Sequence, residues 1–373
     1  MSQAKKPSQA IDKTGNKKVI FDWTNNLQGN LQKSPDENKN ILNYVRSYLD
    51  QQSKPINKKH GKKLTYVDLF CGGGGLSLGV HHALDTFGFD ARLLFACDND
   101  KAALNLVNHH FKPLVKSNEA VENLIKYSVD LSGEHKDFVT FPEIKNPQIA
   151  QFKGKVDLLV GGPPCQGHSN LNNKTRRHDP RNLLYFIMPA FAIALDIPLI
   201  IIENVQAIRK ASENVVSISQ QLLESNGYEV VERVLEAKSF GVAQTRKRHF
   251  LIASKIERPQ LSKAIEELQK DTLSFDDINS NLAAFQELPE ILEINAELSE
   301  ENKKRIQHLH NSNELVLEDA LRPVCHQDGH TYPAVYGRLE GSKPAGTITT
   351  GFMSPGRGRY IHPHEPRMIT IRE

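Results

Sequence analysis

Between residues 64 and 253, six short apolar or β-branched runs (64–70, 91–97, 156–160, 199–202, 229–235 and 249–253) alternate with stretches of helical character. Runs of that length read as strands, and strands separated by helices join as parallel neighbours, because a parallel return needs a long crossover. The alternation predicts an α/β fold with a doubly wound, mostly parallel sheet. Such sheets bind ligands in the crevice beyond the carboxyl ends of their strands. The residues that follow each run are therefore the candidates for chemistry.

After the first run the chain reads Cys71-Gly72-Gly73-Gly74-Gly75-Leu76, with Asp68 and Phe70 just before the turn. Glycines there permit positive φ and let a ligand approach the backbone, while a helix beginning near Leu76 offers free N–H groups. A cofactor lying across Gly72, Gly74 and Gly75 is expected. The second run ends in Cys97-Asp98-Asn99-Asp100, and an acid at that point can accept hydrogen bonds from both ribose hydroxyls. Taken alone, the turn suits a nicotinamide dinucleotide, a flavin or a tight structural turn as well as a methyl donor.

The third run leads into Gly161-Gly162-Pro163-Pro164-Cys165-Gln166-Gly167. A cysteine on a proline-stiffened turn at a strand tip points into the crevice and reads as a nucleophile. Free cysteines are more often small buried hydrophobes, which is the expectation for Cys71, Cys97 and Cys325. The neighbours of Cys165 are not core residues. The fourth run ends in Glu203-Asn204-Val205. Burying an unpaired carboxylate is costly or raises its pKa, and a raised pKa suits an acid working near neutral pH. Gln244-Thr245-Arg246-Lys247-Arg248 precedes the last run, and strand alternation sends Arg246 and Arg248 to one side. By itself this basic stretch would be a solvated turn. The stretch 170–181 holds Lys174, Arg176, Arg177 and His178, a basic loop suited to closing over phosphates.

Asp68-Leu69-Phe70-x-Gly72-x-Gly74-Gly75, the Pro163-Pro164-Cys165 turn, Glu203-Asn204-Val205, Gln244-x-Arg246-x-Arg248 and Lys343-Pro344-Ala345-Gly346-Thr347-Ile348-Thr349 occur in that order. From about residue 63 onward the chain thereby resembles the DNA (cytosine-5) methyltransferase family. The resemblance implies S-adenosyl-L-methionine as cofactor, with Phe70 near its adenosine and Asp98, neighboured by Asn99, on its ribose. It implies that Cys165 adds to cytosine carbon 6 while Glu203 protonates or hydrogen-bonds ring nitrogen 3. Arg246 and Arg248 would contact the target base and nearby backbone, and Asn204 would support Pro164 and the cysteine loop. The partner is double-stranded DNA with the target base extruded, and the setting a bacterial restriction-modification system in the cytoplasm at the nucleoid. Relatives with this motif set also methylate tRNA, and a non-catalytic DNA-binding remnant is a further alternative.

The texture of the chain divides it into a polar extension (1–60), a catalytic domain binding S-adenosylmethionine (61–255), a target-recognition region (256–350) and the start of a returning segment (351–373). Residues 1–63 carry thirteen Lys/Arg against five Asp/Glu, whereas 257–301 carry twelve acidic against three basic residues. The second block is unsuited to facing phosphates. The family's last segment normally continues into a Gly-Asn motif. Either a second polypeptide supplies it or the chain binds its donor weakly by itself. The four cysteines form no CxxC pair, so neither zinc nor disulfides are expected. No stretch approaches the roughly 18 apolar residues of a membrane span.

Overall fold

The computed structural model describes residues 9–11, 17–19, 61–131, 136–164, 180–211, 213–282, 290–327 and 334–373. Cys165 and most of the basic loop at 170–181 lie outside the described residues. The chain forms two compact units, Met1–Lys62 with His82–Asp90, and Lys63–His81 with Ala91–Glu373. In the first, β1 (Gln9–Ile11) pairs antiparallel with β2 (Lys17–Val19).

The strands that follow are β3 (Lys63–Leu69), β4 (Asp90–Cys97), β5 (Val115–Ser117), β6 (Ile125–Val129), β7 (Phe138–Ile144), β8 (Leu158–Gly161), β9 (Leu199–Val205), β10 (Glu229–Glu236), β11 (Lys247–Ser254), β12 (Gly337–Arg338) and β13 (Arg359–Ile361). Seven of them form one sheet in the order β10-β11-β9-β8-β3-β4-β5. The helices are α1 (Gly75–Thr86), α2 (Lys101–Phe111), α3 (Pro147–Ala150), α4 (Ile187–Leu195), α5 (Val215–Glu224), α6 (Leu261–Leu268), α7 (Phe275–Leu282) and α8 (Glu300–Asn311). Among the described residues no helix is long and apolar enough to cross a membrane.

The expected α/β architecture is present, a mostly parallel sheet with helical crossovers. Its centre, β8 and β9, is apolar almost without interruption, as strands covered on both faces must be. Every residue of α4 is buried, so this helix has no solvent face and packs wholly within the core. At one edge the sheet departs from strict alternation. β11 runs antiparallel to both β9 and β10. Only residues 237–246, with a single 3-10 turn at Ala237–Phe240, separate β10 from β11. That is too short for a crossover helix, so the chain returns as an antiparallel neighbour.

Two elements escaped the apolar-run pattern. β5 is only three residues long, Val-Lys-Ser, and β6 and β7 form a separate antiparallel hairpin. Asp130 follows β6 of this hairpin and not β5, the third parallel strand of the main sheet.

A second apolar cluster lies further along the chain, built around Phe275, Ile306, Leu309, Leu339, Tyr360 and Ile361. It is pinned by a buried arginine. Arg338 donates from Nε to the Glu314 carbonyl (3.0 Å), from Nη1 to the Pro363 carbonyl (3.1 Å) and from Nη2 to Asn313 Oδ1 (2.8 Å). One guanidinium thus joins the end of α8, β12 and the segment after β13. Replacing Arg338 with Met removes three hydrogen bonds and strands the buried Pro363 carbonyl, so a loss of about 2–4 kcal/mol in stability is predicted. Thermal unfolding measures it, and an unchanged midpoint would contradict this role.

Candidate active site

Strand register assembles the site. Leu69 of β3 stands opposite Gly161 of β8, and Gly161 opposite Ile202 of β9, all three strands running parallel. The next residues along, Phe70, Gly162 and Glu203, therefore sit at the same level on adjacent strands, spaced about 4.8 Å from one strand to the next. Beyond β4, Cys71 N–H donates to the Cys97 carbonyl (3.1 Å), which brings Asp98 alongside the glycine turn.

On the glycine side, Phe70 takes φ 55°, a left-handed conformation that costs a bulky residue of order 1–2 kcal/mol. This turns the chain sharply out of β3 into the glycines. Gly74 has φ 86°, and a Cβ there would lie 2.7 Å from the Phe111 ring, so only glycine fits. Gly72 N–H donates to Asp98 Oδ2 and Asp100 N–H to Asp98 Oδ1, both at 2.8 Å. Each carboxylate oxygen keeps a further lone pair, so half-buried Asp98 can still accept from a diol. Asn118 Nδ2 fixes the Asp98 carbonyl at 2.9 Å. That residue, next to the short β5, carried no sequence signal. Exposed Gly75 and Asn99 and half-buried Leu76 complete the rim. An open cradle of glycine backbone at a helix N-terminus, beside a carboxylate with free lone pairs, fits an adenosine-containing donor.

Beneath this turn Asp68 is fully buried. Ser77 Oγ–H, on the first turn of α1, donates to Asp68 Oδ2 at 2.6 Å. Burial pushes the Asp68 carboxyl up to about 7, opposed by its bonds from Ser77 and reinforced by the nearby Asp98 charge. Cys71 and Cys97 are buried free thiols, as expected, and burial pushes Cys97 up to about 12. Cys325 departs from that expectation because it is exposed.

On the β8–β9 side, Glu203 and Asn204 lie within β9 rather than just after it. The Glu203 carboxylate rests over Gly162, where an added Cβ would stand 3.3 Å from Oε2. A side chain at 162 would crowd the acid. Glu203 is not the unpaired carboxylate that its apolar run suggested. Arg248 Nε meets its Oε1 at 2.7 Å, with both side chains about four-fifths covered (20% and 23% exposed). Burial and the neighbouring Arg248 charge lower the proton affinity of Arg246, while Glu203 opposes them. Both arginines are thus within electrostatic reach of this acid. Asn204 is buried and donates from Nδ2 to the Pro163 carbonyl (3.1 Å), tying β9 to the turn that leads into Pro164 and Cys165.

One link was invisible in the sequence. Thr245 N–H donates to the Ala345 carbonyl (2.8 Å) and Ala345 N–H to the Ala243 carbonyl (2.9 Å). The Lys343–Thr349 stretch thereby anchors the segment carrying Arg246.

Residues 64–373 match the family model for the C-5 cytosine-specific DNA methylase. The chain belongs to that family. It is 35% identical over 343 residues to the Type II methyltransferase M1.BsuMI of Bacillus subtilis, covering 90% of this chain and 77% of that one. To the Type II methylase M.HgiDII of Herpetosiphon aurantiacus it is 28% identical over 318 residues, covering 82% and 81%. A crystal structure of a DNA modification methyltransferase from an E. coli prophage is similar at 23% identity and a TM-score of 0.48, covering 82% of this chain and 86% of that one. As a member of the family the chain is a DNA (cytosine-5) methyltransferase, and its methyl donor is S-adenosyl-L-methionine.

Because the Asp68 carboxyl is raised in the fold, its neutral form is favoured there. The stability it contributes is complete below the unfolded carboxylate range, near pH 4, and is lost as pH rises through about 7. Asp68→Asn keeps an acceptor for Ser77 and cannot ionise. Its unfolding midpoint is predicted to fall less than the wild type's between pH 4 and 8. Parallel profiles would contradict this.

Proposed function

We propose that the chain methylates cytosine carbon 5 in duplex DNA through a covalent adduct on Cys165, with the base extruded into the space between Glu203 and the glycine turn. What carries this reading is the common level of Phe70, Gly162 and Glu203. Cytosine carbon 5 is too weak a nucleophile to take a methyl group unaided. The Cys165 thiolate adds to carbon 6, and a proton delivered by Glu203 to ring nitrogen 3 leaves an enamine with electron density on carbon 5. S-adenosylmethionine supplies the methyl group as an electrophile on sulfur. Loss of the carbon-5 proton to a base, expulsion of the thiolate and return of the nitrogen-3 proton to Glu203 then restore the ring.

Phe70, Gly72, Gly74, Gly75 and Leu76 would hold the donor, with Asp98 and Asn99 on its ribose and Asp68 supporting the turn from below. Arg248 orients Glu203 through their ion pair. Arg246 would reach the base or its adjoining backbone. Asn204 fixes the Pro163 carbonyl, and Pro164 stiffens the approach to Cys165. Residues 61–255 form the catalytic part in this reading, 256–350 select the target sequence, and 351–373 return towards the catalytic part. The resemblance to two Type II enzymes supports a restriction-modification role on nucleoid DNA.

Radiolabelled methyl transfer to duplex DNA tests the mechanism. Cys165→Ala is predicted to abolish transfer and retain DNA binding. Glu203→Gln keeps the shape without the proton and should lower kcat by roughly 10²–10⁴-fold. A Cys165→Ala protein that still methylates cytosine would overturn the proposal.

A further inference from the structure

The apolar strands that carry the site pose a problem of register. Ile200, Ile201 and Ile202 of β9 face Ala253, Ile252 and Leu251 of β11, all of them buried or half-buried. Where both faces of a strand are apolar, alternation does not specify which residues pair, and a slip of one residue reverses every side chain. Such a slip would carry Arg248 away from Glu203, so something polar must set the pairing.

His249 has the properties required. It lies opposite Asn204 of β9, and it is fully buried. Its Nε2 meets Glu232 Oε2 of β10 at 2.6 Å, a diagonal contact, since Glu232 lies opposite Leu251. The other oxygen, Glu232 Oε1, meets Arg209 Nη2 at 3.2 Å, and Arg209 belongs to the 3-10 turn Gln206–Lys210 that directly follows β9. Burial lowers the proton affinity of His249 more than Glu232 raises it. A neutral ring then donates Nε2–H to the carboxylate. One imidazole thus joins β10 to β11, and through Glu232 it reaches the end of β9. Strand alternation puts His249 and Asn204 on the face opposite Arg248 and Glu203.

We infer that His249 is a positioning residue for methyl transfer, setting the β9–β11 register through Glu232 and Arg209 so that Arg248 meets Glu203. The inference rests on the proposed roles of Glu203 and Arg248. A polar contact in a buried sheet is specific in a way that a packed methyl group is not, because a slip that takes the fully buried His249 ring from its carboxylate partner leaves a buried N–H unpaired.

His249→Leu preserves bulk without the donor, and His249→Gln preserves an N–H donor. The wild type and both variants are compared by steady-state methyl transfer, with competent molecules counted by trapping on duplex DNA containing 5-fluorocytosine. Hydrogen exchange is measured over residues 199–205 and 247–254. His249→Leu is expected to lower kcat per trapped molecule roughly tenfold with KM within about twofold, and to speed exchange in those two segments, while His249→Gln restores both. Unchanged kcat and exchange in His249→Leu would overturn the inference. So would equal impairment of the two variants, which would make the role one of packing alone. A wild type that forms no adduct would refute the covalent reading instead, and the exchange comparison would then decide the register claim.

Discussion

Parallel pairing of β3, β8 and β9 is the constraint on which the site depends, because it brings the tips of three separate runs to one level. Leu69, Gly161 and Ile202 are in register, so the donor turn, the proline turn and the acid follow side by side. Apolar burial supplies the driving force for this pairing but is indifferent to direction along the strands. Polar contacts supply the missing specificity: Asn204 to the Pro163 carbonyl, Arg248 to Glu203, and His249 to Glu232. Each of these joins neighbouring strands at the end where chemistry is proposed.

Three carboxyl groups near the crevice sit in three different surroundings. Asp68 is enclosed beneath the glycine turn with a serine hydroxyl, and burial favours its neutral form. Asp98 is held by two backbone N–H groups, which leaves it able to accept more bonds. Glu203 is oriented by a guanidinium on the adjacent strand. In the proposed reading, environment rather than residue type divides the work among them, one bracing the turn, one facing the donor and one facing the base.

Much of this was legible in the chain. The central strands were visible because strands covered on both faces must be continuously apolar, and Glu203 was visible because a carboxylate interrupts such a run. The partner of Glu203 was not foreseen, since Arg248 arrives from a strand about forty residues later whose antiparallel return depends on a short connection. β5 was missed because three residues show no periodicity, and with it Asn118. The bridge from Thr245 to Ala345 joins residues 100 apart in sequence, a relation that no local pattern encodes. His249 looked like the first residue of an ordinary strand, and only its burial and the Glu232 contact set it apart.

The central claim is that a single thiol beyond Pro164 reaches carbon 6 of an extruded cytosine. It is tested most directly by incubating the wild-type protein with S-adenosylmethionine and a duplex in which 5-fluorocytosine replaces the target, then mapping the crosslinked peptide by mass spectrometry. The account predicts one nucleotide adduct, with its methyl group, on the peptide containing Cys165. An adduct on Cys71, Cys97 or Cys325, or turnover with no adduct at all, would contradict it.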